Sequence, residues 1–218
     1  RYTEYQEGLY VGYRYFTTFG VPVRYPFGYG LSYTTFDKQI ENFKDNGDTV
    51  TFDVTVENTG SVAGKDVVEV YYNPPYTNGG IEKSTANLIG YEKTNELKPG
   101  ESQTVTISFT AEDMASYDYL ENGCYVLEAG DYEISINSDS HNVIDSVTYT
   151  VDEDIVYDEA NPRSTDLTAA VNQFGYADGH LTYLSRKDGF KSYDETTAAP
   201  ASTSMPEDLK EGFIVTSN

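Results

Sequence analysis

Between Phe36 and Val151 the chain repeatedly places an apolar residue at every second position, and this alternation most limits the folds open to it. Val50, Phe52, Val54 and Val56 alternate with Thr51, Asp53, Thr55 and Glu57, the pattern of a strand with one buried and one wet face. Val68, Val70 and Tyr72 repeat it, as do Val105, Ile107 and Phe109, then Tyr132, Ile134 and Ile136, and finally Val147, Tyr149 and Val151. Turn chemistry separates these runs: Asn46-Gly47, Asn58-Thr59-Gly60, Pro99-Gly100 and Gly130-Asp131. Strands in this number, without long helices between them, predict an all-β, immunoglobulin-like β-sandwich. One local exception is expected. Thr110-Ala111-Glu112-Asp113 fits a capping box, which predicts a single helical turn through Ser116.

The flanks are different in kind. Glu7-Gly8-Leu9-Tyr10-Val11-Gly12-Tyr13-Arg14-Tyr15-Phe16 precedes Tyr25-Pro26-Phe27-Gly28-Tyr29-Gly30-Leu31-Ser32-Tyr33-Thr34-Thr35-Phe36, a density of Tyr, Gly and Phe that does not read as a self-sufficient fold. Leu, Ile, Val and Phe make up only about 22% of the chain, little above the level associated with disorder. The 21 Tyr residues partly compensate, since each buries a large ring and keeps a polar tip. The expectation is a modest core with irregular N- and C-terminal extensions that depend on partners. In the tail, Asp152 to Glu159 is an acidic run that reads as solvated linker, and 196–204 has the Thr/Ala/Ser/Pro composition of a linker. Ser204 and Glu207 around Pro206 read as a helix start.

A net charge of −22 argues against nucleic acid as a partner, because such a surface repels phosphate and offers no basic stripe. The same charge argues against an anionic membrane face, and no apolar run approaches the length of a spanning helix. Cys124 is alone, so it forms no intrachain disulfide and reads as a buried, inert thiol among Tyr125, Val126 and Leu127. Gly28-Tyr29-Gly30 lacks the third glycine and following helix of a phosphate-cradling loop and reads as a backbone turn. The acidic run lacks the spacing and central glycine of a calcium loop. His141 and His180 stand far apart without Cys or His nearby, so the expectation is no metal and no cofactor.

The two Tyr-rich motifs resemble the junction in family 3 glycoside hydrolases, the β-glucosidase family, where an α/β sandwich domain runs into a fibronectin type III-like domain. The resemblance continues through Val56-Glu57-Asn58-Thr59-Gly60-Ser61-Val62-Ala63-Gly64-Lys65-Asp66-Val67-Val68-Glu69-Val70-Tyr71. It includes Leu88-Ile89-Gly90-Tyr91-Glu92-Lys93, Leu97-Lys98-Pro99-Gly100-Glu101-Ser102, Glu128-Ala129-Gly130-Asp131-Tyr132 and Ser138-Asp139-Ser140. It implies a piece of a larger enzyme: residues 1–35 as the tail of the α/β sandwich domain, 36–152 as the fibronectin type III-like domain, and 153–218 as a connector. The segment His180-Leu181-Thr182-Tyr183-Leu184-Ser185-Arg186-Lys187-Asp188 is similar to the connector of the subgroup with reversed domain order, in which a (β/α)8 barrel follows.

The family's retaining mechanism sets two carboxylates ~5 Å apart across a β-glycosidic bond. By resemblance the nucleophile belongs to the barrel and the acid/base to the α/β domain, and neither motif occurs here. The chain is therefore expected to hold no catalytic residue and to brace the domains that do, with β-linked oligosaccharide as the parent's substrate. The domain-junction candidates are Tyr10, Tyr13, Arg14, Tyr15, Arg24, Phe27, Tyr29 and Tyr33, with Arg14 and Arg24 expected to tie the junction by hydrogen bonds and ion pairs. The competing reading is a carbohydrate-binding module in which Tyr10, Tyr13, Tyr15, Tyr25, Tyr29 and Tyr33 stack on sugar rings.

Overall fold

In β2 (Thr49–Asn58) the alternation is realised almost without exception: Val50, Phe52, Val54 and Val56 are buried while the Thr and Asp residues between them are not. β-Branched and aromatic side chains suit such a half-buried pleated surface. The computed structural model describes residues 5–172 and 181–199, with 202, 204, 205, 207 and 210. β2 pairs antiparallel with β1 (Phe36–Asp45), Phe36 facing Asn58, and on its other side with β5 (Ser102–Thr110), Thr49 facing Thr110. This gives a three-stranded sheet in the order β1-β2-β5.

The second sheet has four strands in the order β4-β3-β8-β9, comprising β3 (Val67–Asn73), β4 (Asn87–Lys93), β8 (Gly130–Asp139) and β9 (Asn142–Val151). The chain crosses between sheets after β2, after β4 and again before β8, so the predicted sandwich is present. Its core is filled from both inner faces: Phe52, Val54, Ile107 and Phe109 meet Val68, Val70, Ile134 and Ile136.

Between β5 and β8 lies a small insertion. Thr110 donates its backbone N–H (3.1 Å) and hydroxyl (2.7 Å) to Asp113 Oδ2, starting a 3₁₀ turn over Ala111–Met114. The turn stops short of Ser116, because β6 (Ser116–Asp118) begins there and pairs with β7 (Cys124–Leu127). On the other edge of β7 lies β10 (Ile155–Tyr157), which interrupts the acidic run expected to be linker. The flanking carboxylates have local structural work: Asp154 Oδ1 accepts the Ala129 N–H (2.7 Å), and Asp158 Oδ1 accepts those of Ala160 (2.9 Å) and Asn161 (3.0 Å). Three apolar or aromatic residues with a pairing partner were enough to form a strand there. Cys124 is buried in β7, and burial pushes its thiol up from the ordinary value. Among the described residues no helix is long and apolar enough to cross a membrane.

Candidate functional site

On the outward side of the four-stranded sheet, Glu69 and Tyr71 of β3 stand opposite Asn137 and Ser135 of β8. Alternation assigns these positions to solvent, yet Tyr71, Ser135, Asn137 and Asp139 are buried. The cover includes the Tyr-rich N-terminal segment. Its short helix α1 (Tyr13–Thr18) carries the ring of Tyr13, which stacks on Phe27 (4.7 Å between centroids, 17° between planes) and meets Tyr71 edge-on (6.1 Å, 86°). The Tyr13 hydroxyl accepts the N–H of Leu88 (2.9 Å), and the Phe27 carbonyl accepts that of Ser140 (2.8 Å). Gly28 has φ 87°, a backbone conformation that residues with a side chain rarely adopt, and it passes close to the Glu69 carboxyl. Tyr71 donates to the same Glu69 Oε2 (2.8 Å). Burial raises the Glu69 carboxyl above its usual range and, with the Glu69 hydrogen bond and charge, the Tyr71 phenol as well.

The loop between β3 and β4 supplies the second centre. Glu82, only 8% exposed, accepts the Tyr10 hydroxyl (2.5 Å) and the Arg186 N–H (3.1 Å) on Oε2, and the Ser185 hydroxyl on Oε1. Tyr10 is buried, edge-on to Phe19 (5.3 Å), and burial followed by Glu82 drives its phenol far above the ordinary range. Arg186 donates to the Lys83 carbonyl (2.8 Å) and lies over the ring of Tyr76 (4.1 Å). Buried Lys83 pairs with Glu128 and donates to the Pro75 carbonyl (2.9 Å). Residues 185–193 thus return to the N-terminal segment. Two short helical segments, α2 (Lys187–Phe190) and α3 (Tyr193–Thr197), place Phe190 against Phe19 (3.7 Å) and Tyr193 within a hydrogen bond of Tyr15 (2.9 Å). That bond is the main reason the Tyr15 phenol is pushed up to about 12.

The remaining junction candidates lie outward. Phe27 and Tyr29 are exposed on one side, as are Tyr25 and Leu31 (89%), and Tyr33 is fully so (100%). Arg14 and Arg24 are also exposed, each over the ring of its neighbour, Tyr13 at 5.8 Å and Tyr25 at 5.9 Å. Among the described residues neither takes part in an ion pair. His141 is exposed, while His180 and Pro206, and with Pro206 the expected helix start, lie outside the described residues. Beside Glu82 runs an open groove of about 560 Å³, bounded by Gly79, Tyr119, Leu120, Tyr183 and Lys187. Glu82 is its buried acid, and both of its oxygens are engaged as acceptors, Oε2 by Tyr10 and Arg186 and Oε1 by Ser185. Sequence reading passed over Glu82 and Lys83, which sit in a polar loop without period or motif.

The fibronectin type III-like domain family model matches residues 66–140. Beta-glucosidase A of Butyrivibrio fibrisolvens is 34% identical over 239 residues, covering 99% of this chain and 28% of that protein. A beta-glucosidase of Ruminococcus albus is 40% identical over 186 residues, covering 82% of this chain and 19% of that one. Among solved structures, beta-glucosidase 3B from Thermotoga neapolitana in complex with glucose has a TM-score of 0.64 at 41% identity, over 70% of this chain and 21% of that one. The GH3 beta-glucosidase of Bifidobacterium adolescentis has a TM-score of 0.61 at 31% identity, over 78% and 24%. The chain therefore spans about a quarter of the length of the proteins it matches, or less.

Proposed function

Starting from a chain that corresponds to one portion of a family 3 glycoside hydrolase, with a fibronectin type III-like domain at its centre, we propose that it is the non-catalytic brace of such an enzyme. The observation that carries this is the asymmetry of the match: 99% of this chain aligns with only 28% of a β-glucosidase. In the parent, two carboxylates on other domains would carry out retaining hydrolysis of a β-linked oligosaccharide. The brace acts by positioning, since a misplacement of about 1 Å at the reacting groups costs roughly 10²-fold in rate even when its cause is remote.

The seam follows from the exposed aromatics. Tyr25, Phe27, Tyr29 and Tyr33 run along a segment whose inner side is already packed, and they offer an apolar strip to the α/β sandwich and barrel domains. Arg14 and Arg24 point to the same use, their guanidinium groups free to reach carboxylates across the seam. On this reading Arg14→Ala loosens domain docking more than it alters sugar chemistry. The reversed domain order rests on the resemblance of the segment from His180 to Asp188 to that subgroup's connector. The sequence flanking this chain in its reading frame tests that order: an α/β domain before and a barrel after.

A sugar-binding module is less well supported, because Tyr10 is buried and Tyr13 is held between Phe27 and Tyr71. The test of the brace is enzymatic. The purified chain should hydrolyse no aryl-β-glucoside and show no saturable binding of cello-oligosaccharides, while a protein containing the missing domains turns over. Hydrolysis by the chain alone, abolished by replacing one of its own acids, would overturn the proposal.

A further inference from the structure

Glu82 lies on the β3–β4 loop, and among the described residues the groups that donate to its carboxyl all come from outside the sandwich. Tyr10 arrives from the N-terminal segment; Ser185 and Arg186 arrive from the connector. We propose that Glu82 is a shared latch that makes the docking of residues 6–19 and of residues 181–193 one cooperative event. The physical reason is the asymmetry of hydrogen bonding at a buried acid. Three donors satisfy it, and the departure of either segment leaves a nearly enclosed carboxyl under-paired, which costs more than the bond itself contributes.

Direct contacts between the segments reinforce the coupling. The Leu184 N–H donates to the Gln6 carbonyl (2.8 Å), and Phe19 packs on Phe190. The latch ties the N-terminal segment and residues 181–193 to the same loop of the sandwich. It does not rest on the bracing function, since it concerns contacts within this chain.

Amide hydrogen exchange on the intact chain tests it, with Glu82→Gln and Ser185→Ala compared with the parent sequence. Glutamine keeps the shape but replaces one acceptor oxygen by an amide nitrogen that cannot accept: in the place of Oε2 it faces the Tyr10 hydroxyl and the Arg186 N–H, in the place of Oε1 the Ser185 hydroxyl. Both variants should speed exchange about tenfold at Leu184 and Arg186. They should also do so at Thr85 and Leu88, whose N–H groups are held by Thr18 and Tyr13 of the N-terminal segment. Amides of β2 and β5 should not change. The proposal is overturned if Ser185→Ala speeds the connector amides alone, with Thr85 and Leu88 unaffected. An equal rise across β2 and β5 in Glu82→Gln would also overturn it, by making Glu82 a determinant of sandwich stability rather than a latch.

Discussion

Asn58 is fully buried at the end of β2, and its amide group makes four hydrogen bonds. Nδ2 donates to the carbonyls of Val62 and Leu97, both at 2.8 Å; Oδ1 accepts the Thr34 hydroxyl (2.7 Å) and the Gly60 N–H (3.0 Å). One side chain therefore joins the end of the Tyr-rich segment, the turn after β2 and the loop before β5. Asn58→Ala should lower unfolding free energy by about 2–4 kcal/mol, read as a shift of the denaturant midpoint, because several buried polar groups lose partners together. Asn58→Asp should be no better, since the carboxylate oxygen in the place of Nδ2 would face the Val62 and Leu97 carbonyls, acceptor against acceptor. A change within experimental error in both would remove Asn58 from this role. The sequence marks Asn58-Thr59-Gly60 as a turn, but the reach of the side chain to Leu97 depends on a residue 39 positions away.

The β6–β7 hairpin is held at its turn by Asp118, whose carboxyl accepts the N–H groups of Leu120 (2.9 Å), Glu121 (3.2 Å) and Asn122 (3.0 Å), and the Asn122 side chain (2.8 Å). Burial alone would raise this carboxyl, but the donors outweigh it and hold it below the ordinary range. A depressed folded value means the unfolded chain takes up the proton first. The stabilisation is present above the ordinary Asp value near ~3.9 and is lost as pH falls through the lower folded value. Asp118→Ala should cost ~1–3 kcal/mol at neutral pH, and that difference from the parent sequence should shrink on acidification below about pH 4. Paired denaturant curves across pH check this, and a difference that stays constant into strong acid would refute it. β10 belongs to the same element. Its three residues form a strand because β7 offers an open edge, a circumstance fixed elsewhere in the chain.

Across the whole molecule, 36 acidic against 14 basic residues leave −22 charges on 218 residues, so self-repulsion opposes the folded state. Screening should relieve it. Raising salt from about 10 mM to about 150 mM shortens the Debye length from roughly 30 Å to roughly 8 Å and should raise the melting temperature by roughly 2–5 °C. A melting temperature that falls over this range would show that the attractive pairs, such as Lys38 with Asp66 and Lys83 with Glu128, outweigh the repulsion.

What the sequence determined by itself was the sandwich: period-two alternation fixes which face of each strand is buried, and Gly, Asn and Pro fix where strands turn. These are local rules, legible over a few residues. The tertiary structure alone decided that the outward face of the four-stranded sheet is covered, so that Tyr71, Ser135 and Asn137, written as wet positions, are buried. It also decided that Glu82 gathers donors from the two ends of the described chain. Alternation records only the first layer a strand meets. A second layer of tyrosines, packing through hydroxyls and ring faces onto polar positions, follows no period, so its place emerges only when the distant segments are brought together.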